Sequence, residues 1–199
     1  KIPPAFDGYT IVQISDFHIG TYHQAPQTVE QIVEKINSLH SDAIFFTGDL
    51  VNSSPDEVSM FMPLLAKMKA KDGVYSILGN HDYCEYRTYT APDSPARSLA
   101  KLIQKEEDMG WTVLRNEHRL LHRGGDSIAV IGVENDGEPP FPSRADLHKA
   151  TEGLYGDVYK ILLSHDPSHW RRNVLPETDI PLTLSGHTHA MQLRIGNFS

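Results

Sequence analysis

Thr10-Ile11-Val12-Gln13-Ile14-Ser15-Asp16-Phe17-His18 is a β-branched, apolar run that breaks off in an aspartate and a histidine two positions apart. It reads as a buried strand over 9–15. Four more places repeat the pattern. Ala43-Ile44-Phe45-Phe46 runs into Gly48-Asp49, and Val74-Tyr75-Ser76-Ile77-Leu78 into Gly79-Asn80-His81-Asp82. Lys160-Ile161-Leu162-Leu163 runs into Ser164-His165-Asp166, and Pro181-Leu182-Thr183-Leu184 into Gly186-His187-Thr188-His189. Open α/β sheets bind ligands beyond the carboxyl ends of their strands. Five strands ending in oxygen- and nitrogen-bearing side chains therefore point to a metal-dependent enzyme.

Between these strands the period becomes helical. Positions 28–39 place Val29, Ile32, Val33, Ile36 and Leu39 on one face. Ser53-Ser54-Pro55-Asp56-Glu57 has a serine N-cap, a proline at the first helical position and acids in the first turn, which predicts one helix to about residue 70. A further helix is expected over 97–109. Alternating strands and helices argue for a largely parallel α/β core. Short strands follow over 112–114, 119–122 and 127–133, with a hairpin turn at Gly124-Gly125-Asp126. A short helix over 144–151, a strand over 158–163, a helical piece near 167–173, and strands over 180–184 and 192–195 complete the reading. The simplest assembly is one α/β domain with two sheets.

The chain has 199 residues, enough for one well-buried domain. A net charge of -8 counts against general affinity for nucleic acid. An acidic protein still binds an anionic substrate where bound metals make one pocket positive. Cys84 is the single cysteine, so neither an intrachain disulfide nor a cysteine zinc cluster can form. It reads as a small buried residue. No apolar stretch approaches the ~20 residues that a membrane helix needs. The chain begins Lys1-Ile2-Pro3-Pro4 without an initiator Met. The expectation is one domain over 1–199, lacking C-terminal strands and any N-terminal signal or anchor. Such a domain is soluble, in the cytoplasm or held at a membrane through a terminus outside these residues.

Seven side chains are candidate metal ligands: Asp16, His18, Asp49, Asn80, His165, His187 and His189. In an extended segment the two-residue spacing of Asp16 and His18, shared by His187 and His189, points both side chains the same way. Asp49 and Asn80 each follow a glycine, which allows a sharp turn close to an ion. Oxygen and imidazole donors without a thiolate suit Mn, Fe or Zn better than Cu, Ca or Mg. Seven ligands exceed one tetrahedral site and suit two ions bridged by a carboxylate.

Asp-x-His, Gly-Asp, Gly-Asn-His-Asp, a later His and Gly-His-x-His, in that order, resemble the calcineurin-like metallophosphoesterases, from the first strand to the last motif. The resemblance implies a four-layer α/β/β/α sandwich of two mixed sheets with flanking helices. It implies that Asp16, His18, Asp49 and His189 hold one metal, that Asp49, Asn80, His165 and His187 hold the other, and that His81 faces the phosphate and assists the leaving group. Small bacterial members, some acting on phosphodiesters or on the pyrophosphate of a nucleotide-linked lipid precursor, look most similar. After Gly-His-Thr-His such relatives often continue with small residues, where this chain has Ala190-Met191-Gln192.

Two divalent ions can clamp phosphate oxygens and lower the pKa of bound water toward ~7, so hydroxide is available to attack phosphorus. Protonated His81 would donate to the departing oxygen. Asp82, next in sequence, is the candidate to orient that imidazole. The expected partner is a small phosphorylated molecule, a diester, monoester or pyrophosphate, nucleotide-linked or lipid-linked. Substrate-selection candidates are Tyr86 and Arg87 in the stretch 83–98, and His23 at the pocket entrance. An arginine there could grip a second phosphate or a carboxylate. The Pro-rich stretch 134–144 is a second wall, and His169 either touches the site or lies on a helix surface. The competing reading is a catalytically silent metal-bound scaffold for a protein partner. The presence of His81 beside all seven ligands argues against it.

Overall fold

Residues 1–189 are described by the computed structural model. β1 (Ile11–Ile14), β2 (Ala43–Phe46), β3 (Val74–Ser76) and β4 (Trp111–Val113) form one sheet in that order, every pairing parallel. β5 (Glu117–Arg123), β6 (Asp126–Gly132), β7 (Tyr159–Leu163) and β8 (Leu182–Leu184) form the second. There β5 and β6 are an antiparallel hairpin closed by Gly124-Gly125, while β6, β7 and β8 run parallel.

The layering follows from strand alternation. In β2, Ile44 and Phe46 face the helices while Ala43 and Phe45 enter the core between the sheets. In β6, Ile128 and Val130 join that same middle core, while Ala129 and Ile131 pack on the opposite face. Both sheets are thus covered on both sides. α1 (Pro26–Ser38) and α3 (Pro95–Asp108) cover the first sheet, and α4 (Leu147–Thr151) packs against the second. The result is the expected α/β/β/α sandwich.

Three details differ from the sequence reading. The first sheet is wholly parallel among the described residues rather than mixed. The single helix expected to run to residue 70 is a 3-10 turn, Pro55–Val58, followed by the one-turn helix α2 (Met62–Leu65). Pro63 explains the break: it lacks an N–H and clashes with the preceding turn, so it sits in the first turn of a new helix. The strand expected over 192–195 lies outside the described residues.

One buried group ties stability to pH. Glu106 on α3 is 1% exposed, and its carboxylate accepts a 2.5 Å hydrogen bond from Ser76 on β3. Burial, then the negative Asp82, push its carboxyl up to about 8. A folded-state pKa raised above the unfolded value favours folding below the unfolded pKa, and that contribution is lost as pH rises toward the folded pKa. Glu106→Gln removes this titration. Relative to wild type, the variant should gain roughly 3 kcal/mol of stability between pH 5 and pH 8, read from urea unfolding at each pH. Parallel pH profiles for the two proteins would contradict the assignment.

Candidate metal centre

The carboxyl ends of β1, β2, β3, β7 and β8 converge. Gln13 in β1 donates from Nε2 to the Ser185 carbonyl (2.8 Å), and the His187 amide donates to the Asp16 carboxylate (3.0 Å), so the two sheets are stitched at this edge. Two groups of possible metal ligands result: Asp16, His18, Asp49 and His189, and Asp49, His165 and His187. Within each group the ligand atoms lie within 4.8 Å of one another, and both contain Asp49.

The spacing argument for Asp16–His18 and His187–His189 is corrected by the backbone. These four residues and Asp49 all have positive φ: 52°, 44°, 71°, 49° and 60° for Asp16, His18, His187, His189 and Asp49. They are left-handed, not extended. Asp and His tolerate this conformation better than most residues, yet each costs on the order of 1 kcal/mol. It is the turn at each residue, rather than a two-residue pleat, that aims the side chains inward.

Gly48 and Gly79 let the Asp49 and Asn80 loops touch. Gly48 has a φ of 95°, and a Cβ there would strike the Gly79 backbone. A Cβ on Gly79 would strike the Asp49 carboxylate. The clamp between the loops is Asp82. Its carboxylate, 0% exposed, accepts from the amides of Asp49, Leu50 and Gly79 at 2.8 Å and of Val51 at 3.2 Å. Burial and the nearby Asp49 charge push Asp82 up to about 7, while the Gly79 and Val51 amides pull it back. The expectation that Asp82 orients His81 is therefore corrected: all four of these contacts are backbone amides, and the imidazole is held elsewhere.

His81 Nδ1 lies 2.7 Å from the Asn52 carbonyl, which can only accept, so Nδ1 carries the proton and Nε2 is left for chemistry. The Glu57 carboxylate accepts from the amides of Asn52, Ser53 and Ser54 and so fixes that carbonyl. Asn52 and Glu57 were not singled out in the sequence. A backbone carbonyl carries no residue signature, while Glu57 showed itself only as a first-turn acid. The His81 ring meets His18 at 4.7 Å and Tyr86 at 4.8 Å, centroid to centroid.

The donor chemistry fits a cation. His165, 0% exposed, is held by Nδ1 on the Thr47 carbonyl (2.7 Å), which aims Nε2 toward Asp49 Oδ2 at 3.1 Å without a hydrogen bond. Asn80 donates from Nδ2 to Tyr86 Oη (3.0 Å), while its Oδ1 is buried without a hydrogen-bond partner. His18 Nε2 and His189 Nε2 stand 3.1 Å apart, and His189 Nε2 lies 3.1 Å from Asp16 Oδ1. Burial lowers His18, with the neighbouring histidines, toward the neutral form that a metal needs. Burial opposes charge on Asp49, but the His165 imidazole and the His81 amide outweigh it and hold its carboxyl below the usual range. Burial also opposes charge on His165, yet Asp49 raises it to about 9; a cation beside Asp49 would take the place of that proton.

A cavity of about 670 Å³ opens over Asp16, His18, His81 and His189. Tyr86 stands beside the ligand cluster, against Asn80 and His81, and lines a neighbouring cavity. Arg87 does not: it donates to Ser54 Oγ (2.8 Å) and lies over Tyr89. His23 stacks on Phe61 at 5.7 Å and meets the Glu57 carbonyl, apart from that cavity's lining. His169 is buried against Ser164 (2.8 Å), and Cys84 is buried as expected.

The family model of the calcineurin-like phosphoesterases matches residues 9–191. The chain belongs to this family. It is 32% identical over 200 residues to a Danio rerio "Transmembrane protein with metallophosphoesterase domain", covering 97% of this chain and 43% of that protein. It is 26% identical over 230 residues to the UDP-2,3-diacylglucosamine pyrophosphatase LpxG of Chlamydia muridarum, covering 98% and 68%. Among solved structures, TT1561 of Thermus thermophilus shares the fold, with a TM-score of 0.58, 17% identity and coverage of 89% and 80%. The chain spans less than two thirds of the length of the first curated relatives it matches, 43% of the Danio rerio protein and 63% of the metallophosphoesterase YkuE of Bacillus subtilis.

Asp82→Ala strips a shared acceptor from four buried amides. It should destabilise the fold by ~3 kcal/mol or more and weaken Mn or Zn binding at least ~10-fold, as ligand loops separate. Calorimetric titration with metal, beside thermal unfolding, reads both. Wild-type metal affinity in this variant would remove Asp82 from the architecture of the site.

Proposed function

We propose that the domain hydrolyses a small phosphoester with two divalent cations, one held by Asp16, His18, Asp49 and His189 and the other by Asp49, Asn80, His165 and His187. The sharing of Asp49 between both ligand groups carries this reading. Oxygen and imidazole donors without thiolate favour Mn, Fe or Zn. When bound, the cations would neutralise the phosphate charge and supply hydroxide at neutral pH.

The chain's own groups do the rest. Asp49, held at Oδ1 by the His81 amide (2.8 Å), presents its other oxygen, Oδ2, to His18 at 3.8 Å and to His165 at 3.1 Å. His81, anchored through Nδ1, presents Nε2 beside His18; its protonated form donates to the departing oxygen. No side chain is required to form a covalent intermediate. The substrate is a small phosphorylated molecule, and the pyrophosphatase named among the relatives supports a pyrophosphate as one bond in reach. Among the described residues no helix is long and apolar enough to cross a membrane. The relative named as a transmembrane protein supports a membrane-associated setting for the full-length chain.

The test is metal-stripped protein given Mn, Zn, Fe or Mg in turn, with a panel of phosphomonoesters, phosphodiesters and pyrophosphates. His81→Ala should lower kcat by about 10²- to 10⁴-fold with metal content unchanged, read by elemental analysis beside turnover. Asp49→Ala should lose both ions and all activity. Silence of the wild-type protein with every metal and substrate would refute the proposal.

A further inference from the structure

His187 and Thr188 line two cavities at once. One is the 670 Å³ opening over His81. The other, about 440 Å³, lies against Asn80 and is walled by the stretch 135–144 and the segment after β7. Its size suits a small organic group.

Its chemistry differs from that of a phosphate site. Tyr86, Phe141 and Pro142 supply apolar surface, and Phe141 is 60% exposed. Glu85, Glu138 and Asp166 line it with Arg144 as the one guanidinium or ammonium among the described residues of the lining. Arg144 is already engaged: Nη2 donates to both Glu85 oxygens at 2.8 and 3.0 Å, and the guanidinium lies 4.2 Å over the Tyr83 ring. Two polar groups in the lining, Asn135 Oδ1 and Ser168 Oγ, are buried without hydrogen-bond partners, and Asn135 is only 4% exposed. The wall is preformed. Arg172 donates to the Asp136 carbonyl (2.9 Å) and carboxylate, Ser143 donates to the same carboxylate, and the Arg144 amide closes on the Asn135 carbonyl (2.9 Å).

We propose that this cavity holds the group retained on phosphorus, and that this group is uncharged or cationic with an apolar or aromatic face. The inference rests on the phosphoesterase reading above. A second phosphate or a carboxylate would meet Glu138 and Asp166, while Arg144 is already paired with Glu85. A ring or alkyl face finds Tyr86 and Phe141, a cationic head finds Glu138 and Asp166, and an N–H or O–H donor finds Asn135 Oδ1. His81 opens on the other cavity, so the alcohol departs on that side. The bond broken is the phosphorus–oxygen bond facing His81. Water supplies the new oxygen on phosphorus. One of its protons ends on the departing alcohol and the other on the phosphoryl product or solvent.

The probes are p-nitrophenyl diesters that differ only in the retained group: choline, a second nitrophenyl ring, methyl, and an alkyl chain ending in a carboxylate. With Mn-loaded wild type, the choline and nitrophenyl diesters should show KM values at least ~10-fold below that of the carboxylate diester, about 1.4 kcal/mol of discrimination. Phe141→Ala should raise KM for the nitrophenyl diester ~10-fold, and by more than it raises KM for the methyl diester. Glu138→Lys should raise KM for the choline diester and lower it for the carboxylate diester. Equal KM values across the series, or variants that shift none of them, would overturn the inference while leaving the phosphoesterase reading intact. If none of these diesters is hydrolysed, the phosphoesterase reading stands or falls on the monoester and pyrophosphate panel above, and saturation-transfer NMR of the choline diester on metal-stripped protein decides the cavity. A signal lost in Phe141→Ala supports the assignment, and no signal in wild type overturns it.

Discussion

The buried carboxylate of Asp82 is the constraint on which this site depends. It gathers amides from two loops, Asp49 to Val51 and Gly79, that leave neighbouring strands. Buried amides without partners cost more than most single contacts contribute, so one side chain that satisfies four of them fixes both loops. Gly48 and Gly79 make the approach possible, since any side chain at either would collide with the facing loop. Asp49 is then positioned from behind by its own amide and from in front by the His81 amide, with its carboxylate turned toward His18 and His165.

Strain is concentrated where the chemistry is. Asp16, His18, Asp49, His187 and His189 all occupy left-handed backbone, and the sandwich behind them supplies the stability that holds them there. The middle core, with Phe45, Ile77, Val130 and Leu163, joins the two sheets and so brings ligands from β1 to β3 against ligands from β7 and β8. The imidazoles are set by the same device: His165 is tied to Thr47 and His81 to Asn52, each through Nδ1 to a backbone carbonyl. That leaves Nε2 on both rings clear of the anchoring carbonyl, with His165 in the ligand cluster and His81 lining the cavity beside it.

Two cavities of different chemistry meet at His187 and Thr188. The one over His81 is polar and open to the ligand cluster, while the one against Asn80 offers aromatic surface edged with acids. Arg87, an attractive anion clamp on composition alone, is committed to Ser54 and Tyr89, and Arg144 to Glu85 and Tyr83. Neither arginine is free to recruit a second anion.

The sequence by itself determined the class of the fold and the candidate ligands that the sheet edge brings together. Apolar runs ending in Asp, Asn and His report strand ends directly, because strand burial and metal chemistry both leave fixed residue types behind. It also located the hairpin, α1 and α3 to within a few residues, since periodicity survives without tertiary information. It overextended the second helix because the local cap at Ser54 spoke more clearly than Pro63 further along. Only the tertiary structure decided that Asp82 clamps backbone rather than serving His81, that Asp16, His18, His187 and His189 turn through left-handed backbone, and that Asn52 anchors the His81 imidazole. Each of these depends on backbone amides, carbonyls and dihedral angles brought together across the sheet edge. Backbone groups are the same at every position, so no residue letter could have announced them.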